Sequence, residues 1–148
     1  MVVTDGVRIR RAAPQDAQQV FNLARDMATS FAVDVAVFAS SLTEIMQRDD
    51  AVVLVAEASE ASGHVVVGYL LGFDHPAFYA NGRVSYVEEV AVVEERQGKR
   101  VGRHLMEGFE RWARTRDSTL VTVATRRADG FYRSLGYEET ATLFRKVL

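Results

Sequence analysis

The passage from Val84 to Ala124 constrains the fold more than any other part of the chain. A β-branched run, Val84 to Val92, passes through the turn Gln97-Gly-Lys-Arg-Val-Gly102 straight into an amphipathic stripe, Val101, Leu105, Met106, Phe109, Trp112 and Ala113. A second β-rich run, Thr119 to Ala124, follows at once. Strand, crossover helix and strand of this length form a parallel βαβ unit, because a hairpin cannot join parallel neighbours. An all-helical bundle and a purely antiparallel sandwich are both excluded.

The flanking segments extend this unit into a mixed sheet. Val7-Arg8-Ile9-Arg10 alternates like a half-buried strand. Pro14 and Asp16 suit a helix start, and Ala17, Val20, Phe21, Ala24, Met27, Ala28 and Phe31 make one helical stripe. Asp34 is placed to cap a second helix carrying Val35, Phe38, Leu42, Ile45 and Met46. Phe21, Phe31, Phe38 and Trp112, all on helical stripes, are expected in the core. Ala51 to Ala56 and His64 to Phe73 read as an antiparallel hairpin turned at Ser59 to Gly63, and Asp74 to Gly82 reads as a loop. Asp129 to Leu135 is expected to be a short helix closed by Gly136, and Tyr137 to Leu148 a final extended segment. The fold class is α/β: a single-domain mixed sheet over residues 1–148 with helices on both faces.

Composition narrows the chemistry. With 148 residues the chain has the size of one ordinary domain. It has no cysteine, so disulfides, thiolate metal sites and a cysteine nucleophile are excluded. His64, His75 and His104 lack metal-ligand spacing, and no metal is expected. The formal charge of −2 argues against a bulk grip on nucleic acid. No apolar run is long enough to span a membrane, and the first eight residues lack the basic and apolar regions of a leader peptide. The expectation is a cytoplasmic protein without nucleic-acid or membrane partners.

The turn before the third helix carries the chemical signal. Unpaired N–H groups and the dipole at a helix start attract phosphate. Gly98 and Gly102 permit close approach, and Lys99, Arg100 and Arg103 add positive charge. The turn is neither a Walker loop nor a dinucleotide fingerprint.

Val90-Ala-Val92 followed by Gln97-Gly-Lys-Arg-Val-Gly102 resembles the acetyl-CoA motif Q/R-x-x-G-x-G/A of the GNAT superfamily of N-acetyltransferases. Ala128-Asp-Gly-Phe131-Tyr132-Arg-Ser-Leu-Gly136-Tyr137 is similar to its second motif, and Phe144 to Leu148 to its last strand. The resemblance implies the GNAT acyl-CoA N-acyltransferase fold with acetyl-CoA as cosubstrate. It places Val90, Ala91, Val92, Gln97, Gly98, Lys99, Arg100, Val101, Gly102, Arg103 and Thr125 at the cofactor. Arg100 stands where the motif has its inner glycine, so an ordinary negative φ is expected there. Thr125 stands where the second motif has asparagine.

The implied activity is acetyl transfer to a primary amine by direct attack in a ternary complex. Glu88 and Glu89 are candidates for the base, Glu88 first, since polyamine-type acetyltransferases similar in this strand place their acid there. One of the two is expected on each face of the strand. Tyr132 falls at the family's general-acid tyrosine. A phenol near pKa 10 gives its proton uphill to a thiolate near 8.5, by about 2 kcal/mol, which favours hydrogen bonding to sulfur with late proton transfer. The acceptor is a small cationic amine, hinted at by Glu88, Glu89 and Asp74, or a peptide amine, and Phe78 and Tyr79 are placed to line its pocket. A catalytically silent acyl-CoA-binding module is the alternative. The last segment also offers an edge for a homodimer.

Overall fold

The computed structural model describes residues 3–148. Met1 and Val2, part of the segment read above for a leader peptide, lie outside the described residues. The elements are β1 (Val3–Thr4), β2 (Val7–Arg11), α1 (Ala17–Met27), α2 (Val35–Met46), β3 (Ala51–Glu60), β4 (Gly63–Ala77), β5 (Gly82–Val92), α3 (Val101–Thr115), β6 (Ser118–Val123) and α4 (Asp129–Ser134). They build one six-stranded sheet in the order β1-β2-β3-β4-β5-β6. Every pairing is antiparallel except β5 with β6, which is parallel, as the βαβ reading requires.

The period of two along β3 explains how helices cover both faces. Leu54 and Ala56 pack with Leu105, Met106 and Phe109 of α3, whereas Val55 between them packs with Val20, Leu23 and Ala24 of α1. On the α3 face a Cβ at Gly72 would lie 2.2 Å from the Phe109 ring, so only glycine lets the helix settle there. Asp34 caps α2 by accepting from the N–H groups of Ala36 and Val37, both at 2.9 Å. Asp16, buried at the start of α1, accepts from Ala13 N at 2.7 Å and from both terminal nitrogens of Arg10. Arg10 also reaches Glu57 on β3, at 2.8 Å.

Several expectations change. Residues 74–82 are no loop: Asp74 to Ala77 pairs with Ser85 to Gly82, and the chain turns at Phe78–Ala80. Pro76 is tolerated because β3 ends at the Ala51–Phe73 pair, leaving that stretch of β4 with a free edge. Asp74 is buried between Arg83 and Arg116, so it greets no amine. Phe78 and Tyr79 protrude from the hairpin tip and line no acceptor cleft. Residues 137–148 form no strand, because Leu143, Phe144 and Val147 are all exposed and no buried face sets a register. Phe31 is 66% exposed, since α1 ends at Met27 and Ala28 turns extended. The short β1–β2 hairpin, turned by Asp5-Gly6, is not among the expected elements and adds a strand to the sheet.

Candidate active site

Two neighbouring strands part company at one side of the sheet. β5 stays paired with β4 as far as Val92 opposite Gly68, but its pairing with β6 ends at Val87 opposite Val123. Glu88 to Val92 therefore present one free edge. Val93 donates to Val67 O at 2.9 Å, so alternation turns the N–H groups of Val92 and Val90 away from β4 and onto that edge, while Ala91 is turned towards β4. The carbonyl of Val92 is already used, accepting from Gln97 Nε2 at 3.1 Å.

The turn that follows brings the start of α3 beside this edge. Gly98 has φ +74° with open space around it, and the side chain of Lys99 is exposed. Arg100 has φ +67°, a left-handed conformation that corrects the expected negative value. The turn keeps the backbone shape that suits a glycine, and arginine bears the strain, about 1–2 kcal/mol for an L residue. Val101 is buried against Gly68, so only its backbone faces the turn. The first helical N–H groups, including those of Val101, Gly102 and Arg103, lack intrahelical partners. A Cβ at Gly102 would lie 3.3 Å from the Phe131 ring, which fits α4 closely against α3. Arg103 leans on Glu107 at 3.4 Å, and the Thr125 hydroxyl accepts from Ala128 N at 2.9 Å, shaping the turn into α4. These free donors and the exposed Lys99 fit a phosphate-bearing pantetheine cosubstrate.

Tyr132 projects from α4 into the partly buried rim of the same core, edge-on to Phe131 and Tyr137 at 4.9 and 6.0 Å between ring centres. Among the described residues its hydroxyl has no hydrogen-bond partner, whereas that of Tyr137 donates to Glu110 at 2.8 Å. Burial pushes the Tyr132 phenol above its ordinary pKa, so it stays neutral and able to donate.

Glu88 and Glu89 do not straddle the strand. The register steps from Leu71–Glu89 to Gly72–Val87, which makes Glu88 the extra residue of a β-bulge, and both carboxylates line one cleft of about 800 Å³. Glu89 accepts from Tyr69 Oη at 2.6 Å. Burial, reinforced by the Glu89 charge, raises the Tyr69 pKa and keeps that proton on the phenol. Glu88 is exposed and makes no side-chain hydrogen bond among the described residues. The cleft lies beneath α1 and α2, walled by Phe31, Val37, Phe38 and Ile45. Among the described residues no group of three or more acidic or histidine side chains could hold a metal ion, and no helix is long and apolar enough to cross a membrane.

The sequence profile of the acetyltransferase (GNAT) family matches residues 17–137, which spans the open edge, the turn and α4. The chain belongs to the GNAT acetyltransferase family. Solved structures agree on the fold. Glucosamine-6-phosphate N-acetyltransferase from Arabidopsis thaliana superposes with a TM-score of 0.82 at 21% identity, over 95% of this chain and 97% of that one. An acetyltransferase from Trypanosoma brucei gives 0.80 at 19% identity, over 96% and 99%. An aminoglycoside N-acetyltransferase in complex with CoA gives 0.82 at 16% identity, over 96% and 94%. A search of curated protein sequences finds no match.

Within this GNAT domain, sequence reasoning missed Tyr69, Arg126 and Arg145. Tyr69 was detectable: a phenol inside the apolar run Gly68-Tyr69-Leu70-Leu71 needs a polar partner. The two arginines line the cleft from segments without periodicity, and nothing local marks them.

Proposed function

We propose that this protein transfers the acetyl group of acetyl-CoA to a primary amine by direct attack in a ternary complex. The observation that carries the reading is the coincidence of two openings at one point. The free edge of β5 begins at Glu88, and the cleft lined by Glu88 and Glu89 meets the strand at the same residues. Acetyl-CoA supplies the activated acyl group. The first-turn N–H groups of α3 and Lys99 hold its phosphates, and the edge donors at Val90 and Val92 hold the pantetheine arm and polarise the acyl carbonyl.

An amine with a pKa of about 10.4 is neutral roughly once in 2,500 molecules at pH 7, a deficit of about 4–5 kcal/mol. Glu88, uncommitted in hydrogen bonding, accepts the amine proton directly or through a water. Glu89, fixed by Tyr69, holds the ammonium before it is deprotonated. Tyr132 donates a hydrogen bond to the departing sulfur and releases its proton late. Two structural neighbours, glucosamine-6-phosphate N-acetyltransferase and the aminoglycoside N-acetyltransferase, are named for amine-bearing sugars, which is in keeping with an amine here.

The test is a thiol-release assay over an amine panel from pH 7 to 10, comparing the wild type with Glu88→Gln. Turnover of the variant is expected to fall by about 10²–10⁴-fold at pH 7 and to recover as pH approaches the amine's own pKa of about 10, where free amine becomes abundant. Normal activity at all pH values would remove Glu88 as base. Acetyl-CoA binding without turnover of any amine would favour the silent acyl-CoA-binding module.

A further inference from the structure

The acceptor cleft carries charges of both signs, and they sit on different elements. Its acids, Glu88 and Glu89, come from the sheet floor. Its cations, Arg126 and Arg145, come from the turn before α4 and from the carboxy-terminal segment. Arg133, between them in sequence, is taken by Asp129 and Glu139, and Arg83 and Arg116 are taken by Asp74. Among the described residues no carboxylate lies within ion-pairing distance of Arg126 or Arg145. The one hydrogen bond Arg145 makes is to a neutral group, the Ser30 hydroxyl, at 2.9 Å, which ties it to the loop between α1 and α2. That leaves four of its five N–H donors free.

A purely cationic acceptor fits this arrangement poorly. It would be drawn to the floor and repelled at the same time by two exposed guanidinium groups, without carboxylate partners, that line the same cleft. A molecule bearing an oxyanion some distance from its amine satisfies both ends. Guanidinium groups bind carboxylate and phosphate in a two-pronged geometry that an ammonium cannot supply. Between the poles, Phe31 and Phe38 offer an apolar wall for a short spacer, and about 800 Å³ suits a small molecule.

We propose that the acceptor is dipolar, with its reacting amine at Glu88 and Glu89 and a carboxylate or phosphate at Arg126 and Arg145. This rests on the acetyl-transfer reading for the role of the amine, but not for the charge pairing. The guanidinium groups act as specificity determinants and take no part in the proton transfers.

Binding and turnover are measured separately so that the two readings fail separately. Calorimetry on the CoA-loaded protein compares 4-aminobutyrate, 5-aminopentanoate and 6-aminohexanoate with butylamine, pentylamine and hexylamine. A phosphate arm compares glucosamine 6-phosphate with glucosamine. The best acid-bearing member is expected to bind at least tenfold tighter than its partner lacking the acid group, and the arm in which this occurs tells carboxylate from phosphate. In Arg126→Gln, Arg145→Gln and the double variant that ratio is expected to fall, approaching one in the double variant. Because both side chains are exposed, these variants keep the fold. The proposal is overturned if simple amines bind as well as those bearing a carboxylate or phosphate, if no probe binds at millimolar concentration, or if the ratio survives in the double variant. Preferential binding without thiol release would uphold the charge pairing and remove acetyl transfer, whereas thiol release with only the amines that lack an acid group would do the reverse.

Discussion

The two faces of the sheet are built on opposite principles. On the α3 face, Leu105, Met106 and Phe109 are fully buried and glycines at 68, 72 and 108 let backbone and ring approach closely. On the α1–α2 face, α2 buries only Leu42, and Phe31 and Val37 remain exposed around the cleft. The first face is held by apolar packing. The second has a smaller apolar cluster, Val20, Leu23 and Ala24 against Val55, and is also fastened at polar points: Asp16 to Arg10, Gln19 to Val66 N at 2.7 Å, Arg145 to Ser30. One face thus fixes the turn before α3, while the other leaves a cleft open.

The largest expected effect breaks the packed face. Phe109→Ala should cost about 3–5 kcal/mol, read as a fall in melting temperature of about 10 °C or more. A cost below about 1 kcal/mol would mean that the packed face is not what holds the sheet. Next comes the cosubstrate. Acetyl-CoA at a hundred times its Kd should add about 2.7 kcal/mol to stability, and Lys99→Glu should weaken that gain by lowering affinity. No thermal shift at millimolar acetyl-CoA would remove the cosubstrate assignment.

The fastening points respond to pH. Hydrogen bonding to Arg10 holds the Asp16 carboxyl below its ordinary pKa of 3.8, and the same guanidinium holds Glu57 below 4.5. Folded pKa values below the unfolded ones mean that this stabilisation is complete above the unfolded values and is lost as pH falls through the folded ones. Asp16→Asn should therefore cost about 2 kcal/mol near pH 7 and flatten the acid limb of the stability profile. An unchanged acid limb would show that the Arg10 cluster contributes nothing.

Smaller effects sharpen the contrast. Arg100→Gly should raise stability by about 0.5–1 kcal/mol, the relief of left-handed strain exceeding the entropy that glycine loses. A loss of stability would show that the arginine side chain matters more than its φ. Phe31→Ala, at an exposed site, should change stability by less than about 0.5 kcal/mol while altering KM for the acceptor. A stability loss comparable to that of Phe109→Ala would erase the difference between the faces.

The same difference decides how much was legible in the sequence. The α3 stripe, the β5–α3 turn and the Asp34 cap have periodic or local causes, and each forms where the sequence puts it. Phe31 follows the α1 stripe yet lies beyond the helix end, because the periodicity does not mark where the backbone turns extended. The bulge at Glu88 depends on the register of β4, which strand alternation alone does not reveal, so the two acids share a face against expectation. The left-handed Arg100 is likewise invisible to residue preference, since the turn imposes its backbone on a residue that disfavours it. Arg126 and Arg145 reach the cleft only through tertiary structure.

The central claim is that the free edge of β5 beyond Val87 receives the acyl carrier. It is tested most directly by amide hydrogen exchange and nitrogen-detected chemical shifts, residue by residue, with and without acetyl-CoA. The amides of Val90 and Val92 should shift and gain protection on binding, while Ala91, turned to β4, should already be protected and change little. Unchanged amides at Val90 and Val92 with acetyl-CoA bound elsewhere would contradict the account.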